Sequence, residues 1–241
     1  MSGESRKRTF MVTGSSSGIG RAVAERLLDG GHRVVGLARN HEKFSPNSSE
    51  YIKETVDLTV PEQLASTVER ILKRFPELDG VVSNAGVGTM GTLEQFSYSQ
   101  IERAISVNLL SHLYIARAVI PFFRRGGAGD LVFMGSEASK RGAQKGSLYC
   151  AAKFGLRGLA QSLREECGRS GVRVMAVYPG MVRTPFFDEL AFQPGPADEN
   201  AIRPGDVARV VEMMFNLPVG TVVDEVDLSP LKKVIAPNNS R

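Results

Sequence analysis

The stretch "MVTGSSSGIGRAVAERLL", Met11 to Leu28, places a short apolar run, a glycine-rich turn and an amphipathic segment within one βα unit's length. "RTFMVTG" reads as a strand. "IGRAVAERLL" reads as a helix with Ile19, Ala22, Val23 and Leu27 on one face, and "HRVVGLA" as a second strand. A strand, a helix and a strand in about thirty residues is the size of a βαβ unit. Two strands joined by a crossover helix run parallel, which places the helix over one face of the sheet. The alternation continues to the end of the chain. "YIKETVDL" is a strand, and Pro61 opens a helix striped by Leu64, Val68, Ile71, Leu72 and Phe75. "GVVSNAG" is a strand, Ser99 to Phe123 a helix, "DLVFMGS" a strand, "LYCAAKFGLRGLAQSLREEC" a helix and "GVRVMAVYPG" a strand. After a looser region, residues 181–200, come a helix from Pro204 and a last strand in "TVVDEVDL". The pattern predicts a single α/β domain over residues 1–241, a doubly wound parallel β-sheet with helices on both faces.

The glycine turn is compatible with two chemistries. Gly14-Ser15-Ser16-Ser17-Gly18 matches G-x-S-x-G, the elbow that presents a nucleophilic serine. That chemistry requires an acid and then a histidine later in the chain, yet the last histidine is His112, and little chain precedes the turn to supply an oxyanion donor. Read instead as a phosphate turn, Gly14 allows the tight bend, Gly18 the approach of a ligand, and Gly20 the packing of helix on sheet. The N–H groups opening the helix then face an anion. A glycine turn that serves packing alone remains the alternative for this motif in isolation.

Composition narrows the field. Of 241 residues, 42% are hydrophobic and 23% charged, an ordinary globular balance. The net charge is +4, and apart from Arg6-Lys7-Arg8 the basic residues are scattered, so no nucleic-acid partner is expected. The two cysteines, Cys150 and Cys167, share one predicted helix, no signal segment opens the chain, and no run approaches the ~18 apolar residues of a membrane span. A cytoplasmic protein without a membrane partner is expected. His32, His41 and His112 fall in no ligand pattern, so no metal is expected. The helix from Ser99 to Phe123 carries apolar residues on two faces, Ile101, Ile105, Leu109, Leu113 and Ile120 against Val107, Leu110 and Tyr114, which predicts a homo-oligomer, dimer or tetramer.

Further motifs follow in order: T-G-x-x-x-G-x-G at Thr13 to Gly20, N-A-G at Asn84 to Gly86, Ser136 thirteen residues before Tyr149, Y-x-x-x-K at Tyr149 to Lys153, then Pro179-Gly180 and Thr184. With them the chain resembles the short-chain dehydrogenase/reductase family, from Thr9 to about Leu228. The resemblance implies a Rossmann-type fold, a nicotinamide dinucleotide and a small alcohol or carbonyl substrate. It assigns catalysis to Asn108, Ser136, Tyr149 and Lys153, with Asn108 supporting a proton relay through water. It assigns cofactor binding to Gly14, Ser16, Ser17, Gly18, Ile19, Gly20, Asp57, Leu58, Asn84, Ala85, Gly86, Pro179, Gly180, Val182 and Thr184, together with Tyr149 and Lys153.

Physical chemistry accompanies these assignments. Tyr149 and Lys153 are four apart and share a helix face, so the lysine cation is expected to favour the phenolate of a tyrosine whose ordinary pKa is ~10. Ser136 ends a strand at the carboxyl edge of the sheet, where its hydroxyl can polarise a carbonyl, although a turn serine would read the same. Ala38-Arg39 closes the second strand with no acid, which favours NADP(H) over NAD(H), a solvent-facing Arg39 being the alternative. Asp57 also suits a strand end or cap, and Thr184 a polar residue before Pro185. Residues 181–200, with Phe186, Phe187, Leu190 and Phe192, are expected to form a substrate lid, and nothing there singles out a charged substrate. The tail "VVDEVDLSPLKK" departs from the glycine-rich ending of 3-ketoacyl carrier-protein reductases and resembles members acting on small 3-hydroxy acids and related alcohols. A dinucleotide-sensing regulator or scaffold without enzymatic activity is the other class to weigh.

Overall fold

The computed structural model describes residues 6–238. Strands β1 (Thr9–Thr13), β2 (Arg33–Ala38), β3 (Tyr51–Thr55), β4 (Leu78–Ser83), β5 (Gly129–Met134), β6 (Val172–Pro179) and β8 (Glu225–Leu228) form a seven-stranded sheet in the order β3-β2-β1-β4-β5-β6-β8. Every pairing in it is parallel. Helices α2 (Pro61–Arg74), α4 (Ser111–Gly126) and α5 (Ser147–Cys167) cover one face, burying Leu64, Ile71, Ile115, Val119, Phe123 and Leu156. Helices α1 (Gly18–Asp29) and α6 (Pro204–Asn216) cover the other with Val23, Leu27, Val207, Val211 and Met214. Strands buried on both faces must be apolar throughout, which is why "TFMVT" and "VRVMAVYP" show continuous rather than alternating hydrophobicity. The chain steps from β1 outward to β2 and β3, then returns to lay β4 on the other side of β1. That reversal opens a crevice at the carboxyl ends of β1 and β4, where ligands bind in sheets of this kind.

The structure departs from the sequence reading in four places. The helix expected from Ser99 to Phe123 runs from α3 (Tyr98–Ile105) into α4 through a π-helical turn, Ser106–Leu110. There Asn108 Nδ2 donates to the Ala104 carbonyl and Ser111 Oγ to the Val107 carbonyl, side-chain bonds that compete with the regular ladder. This Tyr98–Gly126 helix is also long and apolar enough, by length and composition, to cross a membrane, contrary to the expectation of no such run. Its Ile115, Val119 and Phe123 lie in the core of the domain. The third departure is a second, antiparallel ribbon. The strand β7 (Phe192–Pro194), inside the region read as loose, pairs with β9 (Ile235–Pro237), and so ties that region to the C-terminal segment. The strands read as "YIKETVDL" and "TVVDEVDL" shorten to β3 and β8, the first because Asp57 turns back on Thr59 instead of continuing the ladder.

Candidate active site

Thr13, at the end of β1, joins the two lips of the crevice. Its Oγ1 accepts from the Asn84 N–H at 2.9 Å and the Ala85 N–H at 3.0 Å, while Asn84 Nδ2 donates to the Thr13 carbonyl at 2.9 Å. The chain then bends through Gly14 and Gly18, both at positive φ (65° and 54°). A Cβ on Gly20 would stand 2.3 Å from the Gly14 carbonyl oxygen and 2.5 Å from Asn84 Nδ2, so only glycine lets α1 begin this close to the turn. The Ser17 side chain does not cap α1, which leaves the opening N–H groups beside Ser16 and Ile19 unclaimed by it. Ser15 is buried with its Oγ 2.9 Å from the Tyr51 hydroxyl, so it packs the turn onto β3.

At the far end of this groove Arg39 is exposed and makes no ion pair within 4 Å among the described residues. Asp57 accepts from Thr59 N–H (2.9 Å) and Oγ1 (2.7 Å). These bonds, with burial opposing them and Arg39 adding its charge, hold the Asp57 carboxyl below the usual carboxylate range. Leu58 is buried in the core with Val56 and Leu64.

Past the sheet edge, Ser136 follows β5, its Oγ accepting from the Ala138 N–H and its own N–H donating to Ser139 Oγ, both at 3.2 Å. Tyr149 and Lys153 sit one turn apart near the start of α5, 7% and 3% exposed. Lys153 Nζ donates to the carbonyl of Met134, the last residue of β5, at 3.0 Å and lies 5.8 Å from the centre of the Tyr149 ring. Asn108 clamps the loop after β4, with Oδ1 accepting from the Val87 N–H at 3.0 Å and Nδ2 donating to the Val87 carbonyl at 3.1 Å. A Cβ on Gly86 would fall 2.9 Å from Asn108 Oδ1 and 3.5 Å from Lys153 Nζ, so Gly86, Asn108 and Lys153 converge on one spot.

Burial, rather than the neighbouring lysine, dominates the tyrosine in this arrangement. Burial pushes the Tyr149 phenol up to about 12, with Ser136 pulling the other way, and burial pushes Lys153 down to about 8. The expected lowering of the phenol is opposed by the burial of both groups, and the ammonium faces a carbonyl.

Pro179 ends β6, and the Gly180 N–H donates to the Leu228 carbonyl at 2.8 Å. Val182 is buried and bridges Ile202. Thr184 caps the 3-10 turn Pro185–Phe187 by accepting from the Phe186 N–H, and its side chain lies 3.4 Å from where a Gly18 Cβ would be, so the lid base rests against the glycine turn.

Thr13 and His112 make contacts the sequence reading missed, and Phe186, expected there only as one aromatic of a lid, stands against Tyr149. The Phe186 ring stands 5.7 Å from that of Tyr149. Fully buried His112, four residues beyond Asn108, meets Ser83 Oγ through Nδ1 at 2.7 Å, and burial pushes it down to about 3, so it stays neutral. Its spacing from Asn108, one helical turn, was a signal available in the sequence. A concavity of about 1060 Å³ lies elsewhere, between α2 and α4, lined by Leu72, Tyr114 and Phe122 among others and by none of the residues above. No group of three or more potential metal ligands occurs among the described residues.

Known proteins share this fold. Residues 8–194 match the family model described as short chain dehydrogenase. An uncharacterized oxidoreductase of Staphylococcus epidermidis is 25% identical over 230 residues, covering 94% of this chain and 98% of the relative. Sepiapterin reductase of Chlorobaculum tepidum is 27% identical over 93% of this chain and 96% of its own. Among solved structures, an alcohol dehydrogenase from the archaeon Thermococcus sibiricus, complexed with 5-hydroxy-NADP, superposes with a TM-score of 0.82 at 27% identity, covering 98% of both chains. A metagenomic short-chain oxidoreductase in complex with NADP reaches 0.81 at 30% identity, over 94% of this chain and 98% of that one. The chain therefore belongs to the short-chain dehydrogenase family of oxidoreductases.

Proposed function

We propose that the protein is an NADP(H)-dependent oxidoreductase acting on an alcohol/carbonyl pair, with Tyr149 as general acid and base. The observation that carries this reading is the convergence of Ser136, Tyr149 and Lys153 at the carboxyl edge of the sheet, beside a glycine turn with no room for a Cβ. The turn fits a dinucleotide: Gly14, Ser16, Ser17, Gly18, Ile19 and Gly20 would hold the pyrophosphate at the start of α1, and Asn84, Ala85 and Gly86 would line its path. Asp57 and Leu58 would take the adenine end, Arg39 the 2′-phosphate, Lys153 the nicotinamide ribose, and Pro179, Gly180, Val182 and Thr184 the carboxamide side. Structural neighbours complexed with NADP and with NADH support a nicotinamide dinucleotide, and the choice of NADP(H) over NAD(H) rests on Arg39 and the missing acid after β2.

When bound, the nicotinamide supplies or accepts the hydride. In reduction the Tyr149 hydroxyl gives its proton to the carbonyl oxygen as that oxygen gains charge, Ser136 Oγ donates a hydrogen bond to the same oxygen, and the Lys153 cation steadies the phenolate left behind. A phenol pushed up to about 12 rests as a proton donor, which suits the reductive direction. Asn108 orders the loop at Val87 and would support proton return through water. Residues 181–200 serve as the substrate lid of a single domain, and the half-buried Val107, Leu110 and Leu113 of the long helix fit a contact between copies in a homo-oligomer.

A sensor would need the glycine turn but no buried proton donor. Tyr149→Phe separates the two. Turnover found by screening ketones and alcohols for NADPH absorbance change is expected to fall about 10³-fold with NADPH affinity intact, and unchanged turnover would overturn the assignment.

A further inference from the structure

We infer that Phe186 sets the substrate class of this site, its ring standing where an uncharged, flat apolar group of a ketone or secondary alcohol, an aryl or cycloalkyl group, is received. The inference rests on the oxidoreductase reading above. The ring of Phe186 is tilted 59° to that of Tyr149 with centroids 5.7 Å apart, and it packs with Met90 against Tyr149, Ala138 and Cys150. A Cβ on Gly88 would lie 3.0 Å from Phe186 Cζ and 3.1 Å from Leu190 Cδ1, so the absence of a side chain at 88 is what admits these two. Beneath them Met181, Phe187 and Leu190 form a buried apolar cluster flanked by Met90, Phe186 and Phe192. The wall around the reacting hydroxyls thus consists of thioether, aromatic and aliphatic surface.

Three of the charges that flank the site, Glu137, Lys140 and Arg183, are engaged elsewhere. Glu137, next to Ser136, is held by Lys233 Nζ at 2.7 Å to both oxygens. Lys140 pairs with Asp227 (2.7 Å) and Glu225 (3.1 Å), and Arg183 donates to the carbonyls of Gly195 and Ala197. On the Phe186 side a substrate carboxylate would meet apolar wall and Glu137, and its desolvation there would go uncompensated.

The rest of the lid is anchored independently of this ring. Asn238 Nδ2 donates to the Phe187 carbonyl at 3.0 Å, and β7 pairs with β9. Half-exposed Phe186 can therefore rotate aside while the lid keeps its place, and a ligand ring recovers the aromatic contact with Tyr149. Reduction balances as hydride from NADPH to the carbonyl carbon and proton from Tyr149 to its oxygen, giving the alcohol and NADP⁺.

The test compares wild type, Phe186→Ala and Phe186→Leu on acetone, pyruvate, phenyl methyl ketone and naphthyl methyl ketone with NADPH. Alongside, calorimetric binding of the unreactive benzamide and naphthamide is measured on the NADP⁺ complex. Wild type is expected to prefer phenyl methyl ketone over pyruvate by about tenfold or more in kcat/KM, the factor expected of a pocket fitted to one apolar group. Phe186→Ala is expected to move the phenyl-to-naphthyl ratio about tenfold toward naphthyl at unchanged NADPH affinity, with Phe186→Leu between. Preference for pyruvate, or a substitution that scales every ketone alike, overturns the inference and leaves the oxidoreductase reading standing. Amide binding that follows the size of residue 186 without turnover of any ketone supports the inference on the pocket and overturns the reading instead. Failure of both amides to bind overturns the inference.

Discussion

The two ends of strand β5 treat a buried charge in opposite ways. At the amino end Asp130, 4% exposed, is gripped by Arg8 at 2.6 Å and by both arms of Arg173 at 2.6 and 2.8 Å, and both arginines also donate to the Phe215 carbonyl. At the carboxyl end Lys153, 3% exposed, is given the Met134 carbonyl at 3.0 Å and no carboxylate. Burying an ion without a counter-ion is costly, and one strand carries both solutions. The paired end fastens β1, β5, β6 and the end of α6 together. The unpaired end leaves a titratable group buried at the proposed active site, the trade expected where such a group serves chemistry.

Asp130→Asn breaks the paired end and carries the largest stability effect expected. It leaves two partly buried guanidinium groups facing a neutral amide, and losing one partner of a buried pair costs about 3–5 kcal/mol. Urea unfolding should show that loss, while kcat measured well below the new melting temperature stays near wild type. A stable variant, or a folded variant without activity, would dissolve the division of labour between the two ends.

Lys153→Met is the converse, of smaller magnitude. Burial moves Lys153 from 10.5 in the unfolded chain to about 8 in the folded one. Between those values the unfolded chain binds more protons, so stability rises as pH goes from 8 to 10.5, and below 8 the full penalty applies, about 3 kcal/mol by the usual conversion. Methionine should raise stability at pH 7 by about 2 kcal/mol, flatten the rise above pH 8 and abolish turnover. A variant less stable than wild type at pH 7 would mean that the ammonium is well paid for where it stands.

Much of this contrast was legible in the sequence at one end only. Sheet, helices and glycine turn follow from periodicity and from residues whose conformational needs are local, such as Gly20 and Pro61. Ser136, Tyr149 and Lys153 stand out because spacing and order mark them. The Arg8, Asp130 and Arg173 cluster has no such mark, since it joins three strands far apart in the chain and each residue alone reads as a surface charge. His112 was hidden, and Phe186 readable only as one aromatic of a lid, for a related reason: an imidazole or a ring acquires its place from what the fold lays against it. The raised Tyr149 phenol was misjudged because spacing reports the lysine's presence but not the water excluded around both.

Arg39 gives the smallest effect and the sharpest contrast with Arg173. Both are arginines at a strand edge, yet Arg173 is locked onto Asp130 and Arg39 is exposed without an ion pair among the described residues. Removing Arg39 should therefore leave unfolding free energy within about 0.5 kcal/mol of wild type, as for surface substitutions generally. Its charge bears on the groove through Asp57, which it helps to keep ionised. If that guanidinium receives a 2′-phosphate, Arg39→Ala weakens NADPH about tenfold, or about 1.4 kcal/mol, and leaves NADH within twofold, both read by fluorescence titration. The loss should shrink as salt rises, because an exposed charge contact is screened within about 8–10 Å at ordinary ionic strength. Equal weakening of both dinucleotides would move Arg39 from phosphate selection to general attraction, and the carboxyl end of the sheet would then choose its cofactor by some other group.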